Sequence, residues 1–152
     1  MKTDTLGIEV VGKLKEGYET VLTQEALVFL GKLHKRFGKD RHRLLKMRTE
    51  KQKRLLGGEK LQFLQETEHI RNGTWEVSPV PPDLQDRRVE ITGPTDRKMI
   101  IHALNSGAKV FMADLEDATS PTWSNVIEGQ IHLRNAVNRT IDFTGENGKE
   151  YK

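Results

Sequence analysis

Residues 110–117, Val-Phe-Met-Ala-Asp-Leu-Glu-Asp, decide the fold of this chain, because a short apolar run ends there in three carboxylates. The next residues read Ala-Thr-Ser-Pro-Thr-Trp, and the Ser120-Pro121 pair predicts a helix with proline at its first position. Acidic side chains at the carboxyl end of a parallel strand lie where α/β proteins usually build their sites. The stretch therefore predicts a strand at Lys109–Asp114, a site directly after it, and then a helix.

The segment before this stretch supplies the other half of a strand–helix–strand unit. Val89–Thr92 predicts a strand, Gly93-Pro94 predicts a turn, and Thr95 is expected to cap a helix that Gly107 closes. Short turns between these elements predict a right-handed parallel crossover. Two parallel strands cannot form a sheet that is buried on both faces. We therefore expect the second strand to need neighbours that these 152 residues do not supply.

The N-terminal half of the chain predicts helices. Thr23 is a cap for a first helix that we expect to stop at Gly38, and a second helix is expected over Asp40–Leu56, before a Gly-Gly pair. A further short helical piece is predicted near residues 61–64. Three prolines within residues 79–82 forbid regular structure and mark a boundary between this helical region and the α/β region.

Composition excludes several classes of protein. The chain has 152 residues, 35% of them hydrophobic and 31% charged, and no cysteine. Disulfide scaffolds, zinc ribbons and cysteine nucleophiles are therefore excluded. The sequence opens without an apolar leader, and no apolar run approaches the roughly 20 residues of a membrane helix, so we expect neither secretion nor membrane insertion.

The net charge of +3 is unevenly distributed. Residues 32–60 carry 12 Lys or Arg and three Asp or Glu, a net of +9, whereas the remainder of the chain has a net charge of −6. Such a block either binds nucleic acid or forms a solvated helix face. We favour the solvated face and expect no nucleic-acid partner, because aromatic side chains are not interleaved with the charges as a stacking platform requires.

Asp114 and Glu116 are the candidate site residues. If the strand continues to Glu116, alternation places both side chains on one face, about 6.5–7 Å apart along the chain. Two carboxylates at that spacing suit a hard cation, bound directly or through water. The alternative, equally weighted on spacing alone, is a salt bridge within the fold for Asp114 or Glu116, or a turn that Asp117 caps. The five histidines show no metal-ligand spacing among themselves.

Residues 83–137, from Asp83-Leu-Gln-Asp through the acidic stretch to Asn-Ala-Val137, closely resemble malate synthase of the A type. Leu22–Leu30 and His69–Trp75 resemble the helical N-terminal clasp of that family. The resemblance implies an α/β fold in which a helical clasp precedes the first βα units of a TIM (β/α)8 barrel. The barrel is incomplete here, since members of the family are several-fold longer. It implies a clasp region at 1–78, two βα units at 79–138, and the start of an inserted small domain at 139–152.

The resemblance also implies chemistry. The family condenses glyoxylate with acetyl-CoA and releases malate and CoA in a Mg²⁺-dependent reaction, so glyoxylate, acetyl-CoA and the remainder of the barrel are the implied partners. Its catalytic Arg, its Asp base and both direct Mg²⁺ ligands are expected beyond residue 152. Asp114 and Glu116 match acids that contact the water molecules on the metal. The chain alone is therefore expected to be inactive. The complete enzyme is expected to be cytoplasmic, or peroxisomal if its true C-terminus carries a targeting signal. The alternative is a non-catalytic helical scaffold.

Overall fold

The computed structural model describes residues 2–3 and 7–152 and combines helices with short strands. The four helices of this described part are α1 (Gln24–Leu56), α2 (Glu68–Arg71), α3 (Arg97–Leu104) and α4 (Trp123–Val137). Its strands are β1 (Lys2–Thr3), β2 (Ile8–Glu9), β3 (Glu90–Gly93), β4 (Val110–Ala113), β5 (Phe143–Thr144) and β6 (Glu150–Tyr151). The prediction of a helical N-terminal region followed by mixed helix and strand is confirmed.

Helix α1 is one uninterrupted helix of 33 residues, so the predicted stop at Gly38 and restart at Asp40 are wrong. The predicted cap is correct, since the Thr23 hydroxyl accepts a hydrogen bond from the amide of Ala26 at 3.1 Å. Gly38 does not adopt the positive φ that ends a helix. A glycine inside a helix costs only about 1 kcal/mol relative to alanine, which a helix of this length absorbs.

The end of α1 follows the predicted Gly-Gly pair. Gly58 has a φ of 95°, and the amide of Glu59 reaches back to the carbonyl of Arg54 at 3.0 Å. The Gly58 amide bonds the Leu55 carbonyl, also at 3.0 Å, which completes a Schellman motif. The Glu59 carboxylate then pairs with Lys51 and Arg54, and these contacts hold the chain against the last turn of the helix.

The segment between α1 and β3 is mostly irregular. The prediction of a helical piece near residues 61–64 is wrong. Between the end of α1 and the prolines, the helical turns are a 3-10 turn at Gln65–Thr67 and helix α2. The prolines behave as predicted: residues 77–81 have no regular structure, and Pro82 opens a short 3-10 turn, Pro82–Leu84. This segment separates the helical part of the sequence from the strand–helix–strand unit.

Strands β3 and β4 are parallel, as predicted, with Glu90 opposite Val110 and Gly93 opposite Ala113. Helix α3 joins them, but its cap is Asp96, whose carboxylate accepts from the Met99 amide at 2.9 Å. The predicted cap, Thr95, is instead buried and engaged elsewhere. Gly107 turns the chain with a φ of 83° after α3. Within the described residues the pair has no third strand, so both of its edges are open.

Helix α4 starts two residues later than the sequence indicated. The Thr122 hydroxyl accepts from the Asn125 amide at 3.2 Å, and Trp123 is the first helical residue. The predicted cap at Ser120 with Pro121 in the first position is therefore wrong. The carbonyl of Ser120 instead accepts from the Thr122 amide at 2.8 Å, so Pro121 lies in a tight turn outside the helix.

The apolar core joins the N-terminal segment to α4. It contains Tyr18, Leu22, Leu27 and Ile127, with Ile131 packed against it. Polar contacts reinforce this junction: Glu128 accepts hydrogen bonds from Tyr18 at 2.8 Å and from Lys15 at 2.6 Å. Trp123 donates to the carbonyl of Lys13 at 2.9 Å. Helix α4, which also packs against α3, thereby joins the N-terminal segment to the strand–helix–strand unit.

Most of α1 lies outside this core. Only Leu27 and Gly31 of its residues are buried, although the helix is about 50 Å long at 1.5 Å per residue. The basic side chains of residues 32–54 are solvated in the described structure, as the charge pattern predicted. No helix in the described part of the chain combines the length and the apolar character that a membrane span requires. The predicted hairpin after α4 is confirmed: β5 pairs with β6 in antiparallel fashion.

Candidate functional site in the acidic loop after β4

The loop at residues 114–119, called the acidic loop below, is organised by the first of its acids. Oδ1 of Asp114 accepts hydrogen bonds from the amides of Glu116 at 2.8 Å and Asp117 at 2.9 Å, and Oδ2 accepts from the amide of Ala118 at 3.1 Å. These amides, that of Asp117 foremost, hold the pKa of the Asp114 carboxyl below its ordinary value. Asp114 therefore stays ionised and fixes the backbone of the loop that carries Glu116.

The two candidate acids do not relate to each other as strand alternation predicted. Strand β4 ends at Ala113, so the chain turns before Glu116 and the condition for a shared strand face is not met. Asp114 is half-buried and occupied by the loop, whereas Glu116 is exposed. Among the described residues, no side chain pairs with the Glu116 carboxylate. The turn-capping role that we considered for Asp117 belongs instead to Asp114.

A buried pair of threonines supports the acidic loop from behind. The Thr119 hydroxyl donates to the carbonyl oxygen of Asp114 at 2.7 Å and accepts from the amide of Thr95 at 3.1 Å. The two Oγ1 atoms lie 3.3 Å apart. Because the Thr119 proton is committed to Asp114, the Thr95 hydroxyl is the donor between them. The loops that follow β3 and β4 are therefore tied together at a site that solvent does not reach.

Helix α4 closes this arrangement. Nδ1 of His132 lies 2.8 Å from the carbonyl oxygen of Thr95, and because a carbonyl only accepts, Nδ1 carries the proton. Gly129 faces the same threonine: a Cβ atom there would lie 2.3 Å from Oγ1 of Thr95. A polar cavity of about 170 Å³ borders the threonine pair, with Asp96, Glu128 and His132 in its wall.

We expect Gly129→Ala to destabilise the protein by about 1–2 kcal/mol. The new methyl group would overlap the buried Thr95 severely, so the overpacking cost should lie at about 2–3 kcal/mol, which exceeds the gain of about 1 kcal/mol from helix propensity. The matched control is Gly38→Ala, where the nearest atom, on the side chain of His34, is 3.4 Å from the new Cβ. That control should be neutral or more stable than wild type. Urea unfolding measures both, and a stabilised Gly129→Ala variant would contradict the packing described.

Acid is expected to weaken the acidic loop. The folded-state pKa of Asp114 is depressed, so its contribution to stability is present above the ordinary value of 3.8 and is lost as pH falls through the lower folded value. Asp114→Asn should therefore be less stable than wild type at pH 6, and the difference should shrink as the pH falls below about 4. Urea unfolding between pH 3 and pH 6 tests this. A difference that stays constant over that range would contradict the role of the carboxylate.

The acids of this loop fit a water-mediated contact to a cation better than direct coordination. In residues 2–3 and 7–152, no group of three or more His, Asp or Glu side chains is placed to hold a metal ion. Asp114 already accepts three amide hydrogen bonds, whereas the exposed carboxylates of Glu116 and Asp117 have no partner among the described residues and can accept hydrogen bonds from outside the loop. Carboxylates that hydrogen-bond to metal-bound water orient it without joining the coordination sphere.

Sequence reasoning found Asp114 and Glu116 but missed the supporting residues. From the sequence, Thr95 is assigned to a helix cap, and neither Thr119 nor His132 is given a role. The available signal was indirect: a threonine in the loop after each of the two strands, and a glycine inside an otherwise regular helix at residue 129. A glycine within a helical pattern often marks the close approach of another chain segment.

The sequence of the chain is similar to sequences of one family of known proteins. Residues 7–69 match the family described as malate synthase, N-terminal domain. The chain is 58% identical to malate synthase of Myxococcus xanthus over 95% of its length, and 51% identical to malate synthase of Dictyostelium discoideum over 96%. It is 49% identical to malate synthase A of Escherichia coli over 90%.

The matched region is a limited part of those proteins. The chain spans 27% of the Myxococcus and Dictyostelium proteins and 26% of the Escherichia coli protein, at their N-terminal end. Family profile and pairwise similarity agree, and together they extend over both the helical region and the acidic loop. The resemblance stated from the sequence is therefore confirmed: over nearly its whole length the chain matches the N-terminal portion of malate synthases.

Proposed function

We propose that this chain is the N-terminal part of a Mg²⁺-dependent enzyme that condenses glyoxylate with the acetyl group of acetyl-CoA and releases malate and CoA. The observation that carries the proposal is the acidic loop, in which Asp114 fixes the backbone and Glu116 is exposed, with no partner for its carboxylate among the described residues. The family relationship supplies the reaction. The chemistry itself, including the Arg that stabilises the enolate and the Asp base, is assigned to residues beyond 152.

Within that reaction, the residues of this chain orient rather than react. Mg²⁺, bound by ligands beyond residue 152, would hold glyoxylate and polarise its carbonyl group. Glu116 would accept hydrogen bonds from water on the metal, and Asp114 would keep the loop that carries Glu116 in one conformation. The exposed position of Glu116 and the three amide bonds to Asp114 support these roles.

The same proposal interprets the fold. Strands β3 and β4 would be the first two strands of a TIM barrel, and their open edges would be paired by strands encoded further along. Residues 1–78 would form the clasp, residues 79–138 the first two βα units, and residues 139–152 the start of an inserted domain. The acidic loop then lies at the carboxyl end of its strand, the face on which barrels of this kind carry their active sites. We propose a cytoplasmic location for the complete enzyme.

The experiment is an assay of thiol release from acetyl-CoA by a full-length protein that contains these 152 residues. We expect release that requires both glyoxylate and Mg²⁺, with malate as the second product. Release that proceeds without glyoxylate would indicate simple thioester hydrolysis and would contradict the proposal. A full-length protein that is folded but inert toward both substrates would support the alternative of a non-catalytic scaffold.

A further inference from the structure

We infer that Thr119 is a positioning residue for the acidic loop, and that its hydroxyl group holds Glu116 in place for the metal-bound water. The inference rests on the proposed function for the identity of the metal and the reaction, but the geometry behind it is independent of both. Thr119 touches no candidate reacting group itself. It acts through the backbone of Asp114, five residues earlier in the chain.

The first argument is that the bonding capacity of this hydroxyl is fully used. A threonine hydroxyl has one proton to donate and two lone pairs to accept with. The proton goes to the Asp114 carbonyl, and the lone pairs receive the amide and the hydroxyl of Thr95. The side chain is 4% exposed, so water cannot replace any of these partners easily. A buried polar group with every bond satisfied specifies one local conformation.

The second argument is the position of these bonds on the loop. Asp114 is held at two points: its carbonyl oxygen by Thr119, and its carboxylate by the amides of residues 116–118. Glu116 lies in the part of the loop that these bonds hold, between Asp114 and Thr119. No described side chain forms a hydrogen bond or an ion pair with its carboxylate. Its placement therefore depends entirely on the backbone of the loop. Orientation within about 0.5 Å and 10–20° is what functional side chains require of their supports.

The third argument is that the anchor is itself rigid. Thr95 is 2% exposed, its carbonyl accepts from His132, and Gly129 leaves room for its side chain against α4. The position of the acidic loop is therefore fixed by contacts with the loop after β3 and, through Thr95, with helix α4. A small displacement here would be transmitted to Glu116, and misplacement by about 1 Å can cost about 100-fold in rate.

The test compares Thr119→Val, which keeps the shape and removes the hydroxyl, with Thr119→Ser, which keeps the hydroxyl. Ile100→Val serves as a control for general loss of stability, because Ile100 is fully buried in α3. In the full-length protein, with neither Mg²⁺ nor substrate added, hydrogen exchange at the amides of residues 116–118 reports on the order of the acidic loop. We expect Thr119→Val to speed exchange there by about 10-fold or more, and both Thr119→Ser and Ile100→Val to stay within about threefold of wild type.

The second readout is the affinity of the full-length protein for Mg²⁺, measured by titration calorimetry. We expect about a 10-fold weaker affinity for Thr119→Val and rescue by Thr119→Ser. Exchange rates or Mg²⁺ affinities for Thr119→Val that match those of Ile100→Val would overturn the inference, since they would leave only a structural role. A wild-type full-length protein that makes no malate would overturn the proposed function instead, while the exchange measurement still decides whether Thr119 orders the loop.

Discussion

Replacing Glu116 with Gln in a full-length enzyme is expected to lower Mg²⁺-dependent turnover by about 10–100-fold, because removal of a carboxylate that orients metal-bound water typically has an effect of that size. The substitution keeps the length of the side chain and removes its negative charge. Glu116 is exposed, its carboxylate has no hydrogen-bond or ion-pair partner among the described residues, and the substitution leaves its amide bond to Asp114 unchanged, so the fold should tolerate the change. The substitution should therefore lower the turnover rate and raise the Mg²⁺ concentration that the reaction requires. The free energy of unfolding should not change.

The matched control for Glu116→Gln is Asp117→Asn, one residue further along the same loop. Asp117 is also exposed, and its amide, which the substitution does not alter, provides its bond to Asp114. Asp117→Asn removes the same charge from the same loop and should change turnover by no more than about twofold. An equal loss of turnover in the two variants would assign the effect to the summed negative charge of the loop. It would contradict a specific role for Glu116.

The second large effect is expected from the 152 residues on their own. We predict that the isolated chain releases thiol from acetyl-CoA and glyoxylate at least about 10⁴-fold more slowly than the full-length enzyme, because the proposed function assigns the general base and the stabilising Arg to residues beyond 152. The role proposed for the acidic loop is orientation, and among the described residues no group of three or more acids or histidines is placed to hold a metal ion.

Supplying the remaining barrel in trans is the complementary measurement. Strands β3 and β4 have open edges in the described structure, and Met112 and Val89 expose apolar side chains beside them. Association with a separately expressed C-terminal part should cover these surfaces and restore thiol release. Turnover by the isolated chain that approaches the full-length rate would show that the catalytic residues lie within these 152 residues.

The sequence predicts element types well where local rules act alone. Thr23 caps α1 through its own hydroxyl, the Gly57-Gly58 pair ends that helix, and the β3–α3–β4 crossover follows from apolar runs and turn residues. The errors lie where two local signals compete. Gly38 has the identity of a helix stop but none of the flanking geometry, and so it is absorbed into α1. Thr122 takes the cap that Ser120-Pro121 appeared to claim.

The candidate site was predictable in part for the same reason. A carboxylate directly after a buried strand is a local signal, and it identified both Asp114 and Glu116. Whether the strand continued past Ala113 depended on the amides of the following turn, which capture the Asp114 side chain. The support by Thr119 depends on contacts with Thr95, 24 residues away in the chain, and no pattern within either segment specifies that pairing.

The most direct measurement is a structure of the full-length protein with Mg²⁺ and glyoxylate bound. This account predicts that a carboxylate oxygen of Glu116 lies about 2.7–3.0 Å from a water molecule on the metal, without bonding the metal itself, and that Thr119 keeps its bond to Asp114. A structure in which the metal and its water molecules lie beyond hydrogen-bond reach of both Asp114 and Glu116 would contradict it.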